Sequence, residues 1–268
     1  LFFIIFLAGF ISSRPYIKKI VNEVKFTYVA EEYKKIDKDS KKKKVVKKNK
    51  NEEKKVIEPK NDNTISLNVQ TTINLFTDLE YDLKKIRNGQ QVKPVYFTKL
   101  PKDIKSLGDT SQKKNLFIQI VLPLILAENT KIIEDRKKLF NILNKKFNTI
   151  GERVWLKRRF KEYKVDDSDL AELKTRMDIV PVSIAIAQAA KESGWGTSRF
   201  ALEGNALFGQ WTWSKSAGIE PIDKDEDKSH KILAFQILRA SVKAYKNNLN
   251  THKGYKEFRE ARAKLRQE

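Results

Sequence analysis

The stretch from Pro181 to Trp213, PVSIAIAQAAKESGWGTSRFALEGNALFGQWTW, constrains the fold of this chain more than any other. Proline suits the first turn of a helix, and the residues from Val182 to Ala190 are mostly helix formers with small or apolar side chains. Gly194 and Gly196 tolerate the backbone angles that stop a helix. The pattern therefore predicts a largely buried helix that ends at these glycines, and a second short helix through residues 200–204.

One carboxylate, Glu192, lies at the end of this predicted helix, just before a Ser-Gly-Trp-Gly turn. Burial among apolar neighbours would raise the pKa of such a carboxyl and keep it protonated near neutral pH, as a general acid requires. Gln188 lies four residues earlier and therefore shares the same helix face. A buried structural glutamate, satisfied by backbone donors or by Arg199, explains the spacing equally well.

The run AQAAKESGWGTSRFALEGNALFGQW, residues 187–211, resembles the catalytic signature of the glucosaminidase domain of glycoside hydrolase family 73, and more closely its bacterial Bax-type branch. The resemblance covers roughly residues 94–265. It implies a lysozyme-like fold and cleavage of the β-1,4 glycan of peptidoglycan on the N-acetylglucosaminyl side, with Glu192 as the proton donor. Many members carry two asparagines before Leu-Phe-Gly, whereas this chain has Asn205 and Ala206. Only Asn205 therefore carries over as a structural or substrate-lining residue.

The resemblance also implies a second carboxylate in a β-hairpin lobe, which corresponds to residues 214–231. The acidic candidates in this lobe are Glu220, Asp223, Asp225, Glu226 and Asp227. A run such as DKDEDK is more often a solvated loop than a catalytic base, so Glu220 and Asp223, which flank a proline, are preferred. Without a carboxylate close enough, the N-acetyl group of the substrate would be the nucleophile. Inverting, retaining and substrate-assisted mechanisms therefore all stay open.

Aromatic and amide side chains near Glu192 are the candidates for substrate binding. Flat aromatic faces suit the apolar faces of pyranose rings, and an amide can pair with an acetamido group. The predicted set is Gln188, Asn205, Gln210, Trp211 and Trp213, together with Tyr245 and Tyr255, which the resemblance implies because the family places tyrosine near its active site after the hairpin. Core packing is the alternative role for each aromatic, and it is the expected role of Trp195 and Phe208. Trp211 and Trp213 alternate as on a strand, so at least one is expected to face the cleft.

Other chemistries are excluded by what the chain lacks. It has no cysteine and two histidines, so it offers no thiol nucleophile, no disulfide framework and no plausible zinc cluster. No glycine-rich phosphate loop follows a predicted strand, and we expect neither a metal nor another cofactor. The net charge of +21 would suit nucleic acid, but no nucleic-acid fold signature is present. Attraction to an anionic wall polymer explains the charge as well.

The N-terminal third differs in composition from the rest of the chain. It opens with LFFIIFLAGFI, so residues 1–17 are interpreted as a truncated signal peptide or membrane anchor. Residues 18–63 are lysine-rich with few large apolar side chains, which predicts a disordered basic linker. Residues 64–93 are either linker or a helical lead-in. We expect an exported, periplasmic protein that is tethered to the inner membrane if the first segment is not cleaved, although the basic residues after it favour the opposite topology.

Helical periodicity covers much of the remaining chain. The ranges with a helical apolar pattern are 115–126, 131–150, 170–177 and, broken near Gly254, 234–267. Pro123 lies inside the first of these, so one helix is expected to kink there or two helices to meet. These ranges predict a mainly α, lysozyme-like domain over residues 94–268 with a small β-hairpin lobe.

Two functions are compatible with this sequence. The first is an endo-β-N-acetylglucosaminidase that cuts peptidoglycan glycan strands by general-acid catalysis from Glu192. The second is a cell-wall module that binds or anchors glycan without cutting it. The presence of the acid favours the enzyme, because a binding-only relative would more often have lost it. The oligomeric state cannot be predicted from the sequence.

Overall fold

The computed structural model of this protein describes residues 67–212, 218–220 and 231–267. Apart from residues 87–90, these belong to one compact unit. The predicted anchor and basic linker, residues 1–63, lie outside the described range, and the predicted domain boundaries stay predictions.

The described fold is mainly α, as predicted. Its helices, in chain order, are α1 (Val69–Asp78), α2 (Leu83–Arg87), α3 (Thr110–Leu143), α4 (Ile150–Tyr163), α5 (Leu170–Arg176), α6 (Val182–Ser193), α7 (Arg199–Gly204), α8 (Leu238–Thr251) and α9 (Lys256–Gln267). Two short 3₁₀ helices, Lys102–Ser106 and Lys253–Tyr255, precede α3 and α9. The interruption between two helices that was predicted near Gly254 is therefore the second 3₁₀ helix.

A small β lobe lies between α7 and α8. Its strands are β1 (Trp211–Thr212), β2 (Gly218–Ile219) and β3 (Lys231–Leu233). The order is β1-β3-β2 and both pairings are antiparallel, with Ile232 of β3 opposite both Trp211 and Ile219. The small lobe expected from the sequence is confirmed, and its described strands form a three-stranded sheet.

The long helix α3 is the centre of the core. The sequence left two possibilities at Pro123, a kink in one helix or a junction of two helices. The junction is wrong, because a single helix of 34 residues runs through this proline. A proline inside a helix costs about 3 kcal/mol, chiefly through a lost hydrogen bond and a clash with the preceding turn. Dense burial offsets this cost: Phe117, Ile120 and Leu124 on the same helix are completely inaccessible to solvent.

By length and composition, α3 is also the one helix of the described residues that could cross a membrane. Its apolar side chains instead face other parts of the domain. Together with α1, α6 and α8 they form the main core, and Ile132 and Leu139 on its C-terminal half join a second cluster with Phe160 and Leu173. The apolar residues of α3 therefore pack within the domain, and both core clusters include residues of this helix.

The turn after α3 corrects a second expectation. The helix predicted over residues 131–150 ends at Leu143, and α4 begins at Ile150. Thr149 is the reason for the new start, because its hydroxyl accepts from the backbone of Glu152 and the Glu152 carboxylate accepts from the backbone of Thr149. The first backbone N–H groups of a new helix have no partner within the helix, and this capping box satisfies two of them.

A buried carboxylate joins the C-terminal helix to the entry of α6. Asp178 is 2% exposed, and its carboxylate accepts from Arg266 of α9 through Nε at 2.9 Å. Arg262 donates to the backbone oxygens of Asp178 and Ile179. Because these arginines satisfy the backbone just before α6, they fix where that helix starts.

The end of α6 is an unusually sharp turn. Gly194, Trp195 and Gly196 have φ values of 57°, 58° and 80°, so three successive residues lie in the left-handed region. Trp195 bears a side chain there and is strained, but its ring packs edge-on against Phe117 at 5.9 Å between centroids. Ser193 stabilises the turn, because its hydroxyl accepts from the backbone of Gly196 at 2.9 Å.

We predict that Gly196→Ala destabilises the domain. The added Cβ would lie 2.9 Å from Leu100 Cδ1 and 3.0 Å from Phe117 Cδ2, in a backbone conformation that alanine disfavours. Overpacking of this kind costs about 1–3 kcal/mol of unfolding free energy. Gly108→Ala is the control, because a Cβ there meets nothing within 4 Å. Urea unfolding of both variants measures the difference, and equal stabilities would show that the turn is not tightly packed.

Candidate active site

Glu192 lies in the last turn of α6, as predicted, but its surroundings differ from the expectation. Its side chain is exposed, whereas an apolar, buried setting was expected. Apart from Lys191, the run before it is uncharged, and the buried face of α6 is formed by Ala185, Ala189, Ala190 and Ser193. Glu192 lies at the edge of that face, in the last turn, where the helix reaches the surface. The expected desolvation of this carboxyl in the ligand-free protein is therefore wrong.

The carboxylate of Glu192 lies against the turn that follows α7. A Cβ built on Gly209 would come 3.3 Å from Glu192 Oε2, so the backbone at Gly209 lines one side of the carboxylate. Tyr255 lies near it as well, because burial first and the charge of Glu192 second raise the pKa of the Tyr255 phenol. A carboxylate, a bare stretch of backbone and a protonated phenol therefore meet here.

The structural role considered for Glu192 finds no support in these contacts. No hydrogen bond or ion pair to Glu192 occurs among the described residues. Arg199, the partner considered for it, pairs with Glu203 at 3.5 Å and donates to the backbone oxygen of Glu220. The acid is thus exposed and unpaired within the described part of the chain, which is a geometry that a substrate can approach.

Gln188 and Tyr245 meet across the interface of α6 and α8. The Tyr245 hydroxyl donates to Gln188 Oε1, and the tyrosine ring stacks on Phe208 at 3.9 Å with an interplanar angle of 3°. Burial raises the pKa of Tyr245 above its ordinary range, so its hydroxyl stays a donor. The contact holds the amide of Gln188 one helical turn before Glu192.

Asn205 has a structural role in the ligand-free domain. It is 3% exposed and left-handed, and its Nδ2 donates to the backbone oxygens of Phe235 and Gln236. It thereby ties the end of α7 to the segment between β3 and α8. Of the two roles that the resemblance implied, the structure shows the structural one. Its Oδ1 is buried without a hydrogen-bond partner among the described residues.

Two neighbouring side chains of the β lobe are placed differently. Gln210 keeps its Oε1 buried with no partner in the described part of the chain, while its backbone oxygen accepts from Leu233. Trp211, in β1, is 60% exposed. Trp213 lies outside the described residues. Phe208 is buried and Trp195 is half-buried against the core, in the packing roles expected of them.

Of the candidates for the second carboxylate, only Glu220 lies among the described residues. Glu220 follows β2, is exposed, and lies with Oε1 3.1 Å from Lys231 Nζ. Asp223 and the acidic residues 225–227 lie outside the described residues. No group of three or more histidine or acidic side chains that could hold a metal ion occurs in the described ranges.

Comparisons with known proteins support a glycan-hydrolase-like class for this mainly helical domain, in which an exposed glutamate lies at a helix end beside a small β lobe. The glucosaminidase family model, described as mannosyl-glycoprotein endo-beta-N-acetylglucosaminidase, matches residues 168–267. The chain is also similar to Protein bax of Escherichia coli (strain K12), with 34% identity over 170 residues. That match covers 61% of this chain and 60% of the relative, so it spans less than two thirds of that protein. No solved structure matched significantly.

Residues 168–267 therefore match the glucosaminidase family, and the chain is similar to its Bax-type branch through Protein bax. The family assignment made from residues 187–211 is confirmed. The match begins at residue 168 and so includes the elements from α5 to α9, which carry every described residue of the candidate site.

Gly209 was missed as a site residue in the sequence analysis. Its importance depends on the contact with Glu192, which is 17 positions earlier in the sequence. The available signal was the glycine itself, between an aromatic and an amide residue. Glycine at such a position indicates either a left-handed backbone or a close approach, and here both apply, since its φ is 56°.

We predict that the Tyr245–Gln188 hydrogen bond contributes to stability as a coupled pair. Tyr245→Phe keeps the ring on Phe208 but leaves a partly buried amide oxygen without its donor, which costs about 1 kcal/mol. Gln188→Met removes the acceptor at similar volume. In the double variant the two losses should be less than additive, as urea unfolding of all four proteins would measure. Strict additivity would contradict the hydrogen bond.

Proposed function

We propose that this protein is a peptidoglycan hydrolase, an endo-β-N-acetylglucosaminidase that uses Glu192 as its general acid. The observation that carries the proposal is the exposed, unpaired Glu192 carboxylate, which lies against Gly209 and near Tyr255. The family membership gives the reaction class. Such a hydrolase needs one group that protonates the leaving glycosidic oxygen.

Substrate binding supplies the setting that the ligand-free carboxyl lacks. Sugar rings that lie across the end of α6 displace water from Glu192, and a desolvated carboxyl favours its neutral, proton-donating form. Bare backbone at Gly209 leaves room for a ring to approach. The acid is thus accessible before binding and becomes protonated when the glycan covers it.

Three side chains around Glu192 are proposed to hold the glycan. The exposed indole of Trp211 offers a flat face for a pyranose ring. Gln210 Oε1 is buried without a described partner, so it becomes an acceptor for the N–H of an acetamido group when the side chain turns toward the glycan. Gln188, held by Tyr245, contributes a fixed amide on the same face of α6 as the acid.

The positive charge that develops on the sugar carbon requires a second group. Glu220, Asp223 and the acetamido group of the substrate are the three candidates. Glu220 pairs with Lys231 in the ligand-free domain, so its recruitment requires that this ion pair open. Substrate assistance would leave activity in Glu220→Gln and Asp223→Asn, whereas a protein carboxylate would lose it in one of them.

The proposed site of action is the periplasm, with peptidoglycan strands as the partner. The apolar segment of residues 1–17 would act as signal peptide or inner-membrane anchor, and the lysine-rich residues 18–63 would be the tether between membrane and enzyme. Periplasmic fractionation, with and without carbonate extraction of the membrane, separates a released enzyme from an anchored one.

We predict that Glu192→Gln abolishes release of glycan fragments from purified peptidoglycan. Loss of a general acid typically lowers the rate by about 10²–10⁴-fold. Glu203→Gln is the matched control, because Glu203 is an exposed glutamate on the next helix whose only described partner is Arg199. Mass spectrometry of borohydride-reduced products should show new chain ends of reduced N-acetylglucosamine with wild type and with the control.

Other products of this digestion would contradict the proposal in distinct ways. Reduced N-acetylmuramic acid at the new ends would identify a muramidase. If neither wild type nor Glu192→Gln releases fragments while both sediment with the wall, the protein is a glycan-binding or anchoring module. Equal release of glycan fragments by wild type and Glu192→Gln would show that the general acid is a residue other than Glu192.

We predict that Gly209→Ala lowers activity more than it lowers stability. The new Cβ would lie 3.3 Å from Glu192 Oε2, so the carboxylate has to shift by a few tenths of an ångström, and misplacement of a catalytic group lowers the rate. Gly89→Ala is the control, because Gly89 also has positive φ but a Cβ there meets nothing within 4 Å. Both variants have a strained backbone, so a difference in kcat between them isolates the contact with Glu192. Equal kcat values would exclude that contact from catalysis.

A further inference from the structure

The turn between α3 and α4 carries three exposed apolar side chains. Phe147 is 81% exposed, Ile150 is 73% exposed and Val154 is 45% exposed. We name these three residues the tip patch. Ile150 and Val154 lie four positions apart in the first turns of α4, so they share one helix face. Water-exposed apolar groups that cluster in this way are typical of interaction surfaces.

A dense basic collar surrounds the tip patch. Between Arg136 and Lys161 the chain has ten Lys or Arg residues and one acidic residue, Glu152. That acid is already engaged, because it caps α4 and pairs with Lys145. The exposed members of the collar are Lys137, Lys138, Lys145, Lys146, Arg153, Lys157, Arg158 and Lys161. Arg159 pairs with Asp135 and Glu162, which flank this segment, and the basic residues still outnumber the acidic ones around the turn.

We propose that the tip patch and its collar dock the domain on an anionic lipid surface. The protein surface here has two properties, positive charge and protruding apolar side chains, and one partner must match both. Lipid headgroups pair with Lys and Arg, while the interface accepts apolar groups about 5–10 Å deep. An anionic glycan or nucleic acid would match only the charge, and would leave Phe147 and Ile150 in water.

The position of the patch would orient the candidate active site. Trp195, three residues after Glu192, packs on Phe117 in the first part of α3, whereas the patch follows the last residue of that helix, Leu143. Helix rise is 1.5 Å per residue, so these 26 positions correspond to about 39 Å. Docking through the tip would hold Glu192 at the far end of α3, away from the lipid and toward the glycan.

The tip patch belongs to the folded domain, so docking through it does not depend on the N-terminal segment. A segment at residues 1–17 would hold the protein to a membrane without setting its orientation. The tip patch would define which face of the domain approaches the lipid. An assay must therefore report contact at the tip itself, because vesicle binding of the whole chain does not distinguish the two.

The chain has no cysteine, so a single introduced cysteine can be labelled uniquely. Full-length Asn144→Cys places a bimane fluorophore beside the tip patch, and full-length Gln112→Cys places it at the opposite end of α3, both at exposed positions. The probes are vesicles of phosphatidylglycerol with brominated acyl chains, and matched vesicles of brominated phosphatidylcholine. We expect several-fold stronger quenching at position 144 than at position 112 on the anionic vesicles, and a marked decrease on the zwitterionic ones.

A Phe147→Ser, Ile150→Ser double substitution in the Asn144→Cys protein tests the side chains themselves. Both positions are exposed, so the fold should persist, as circular dichroism would verify. Loss of quenching at position 144, with vesicle sedimentation retained, would support docking by the tip. Unchanged quenching, or equal quenching at 112 and 144, would overturn it. A lipid-free dimer that the serine substitutions abolish would instead assign the patch to a second copy of the chain.

Discussion

The buried carboxylate of Glu128 sets how α8 lies on α3, and the candidate site depends on that register. Glu128 is 4% exposed, and it accepts from Arg239 Nε at 2.7 Å and pairs with Lys246 Nζ at 3.2 Å. Burial tends to raise the pKa of Glu128, but these two cations lower it, whereas burial lowers the pKa of Lys246 to about 8. Removing one member of such a group leaves an uncompensated buried charge, so sliding of α8 is unfavourable. Tyr245, the residue before Lys246, is thereby held against Gln188.

Local signals in the sequence predicted the helix that carries the acid. Proline at position 181 and glycine at 194 and 196 act through their own backbone preferences, so α6 could be placed from them alone. The path of α3 could not, because Pro123 is accommodated by burial against helices from distant sequence. The start of α4 was readable from the Thr149 and Glu152 spacing, but the apolar period across it favoured a continuous helix.

The candidate site was predictable as a set of residues and not as a geometry. Helix spacing identified Gln188, and the resemblance identified Glu192 as the proton donor and Tyr245 as a candidate, yet the exposure of Glu192 depends on how α6 packs in the folded domain. Gly209 approaches Glu192 only after the chain has folded through α7, and Tyr255 only after it has passed through the β lobe and α8. Contacts across such sequence separations are fixed by packing, which residue spacing alone does not encode.

An exposed acid has a consequence for how such a site would select its substrate. A general acid must be neutral at the moment of transfer, and water around a carboxyl favours its charged form. If the ligand-free domain does not exclude that water, the glycan has to do so, and a short fragment covers less of the site than a polymer. Binding energy from rings that do not react would then appear in kcat as well as in KM. A site completed by its own substrate would thus favour extended strands over short fragments, because a longer ligand covers more of the site.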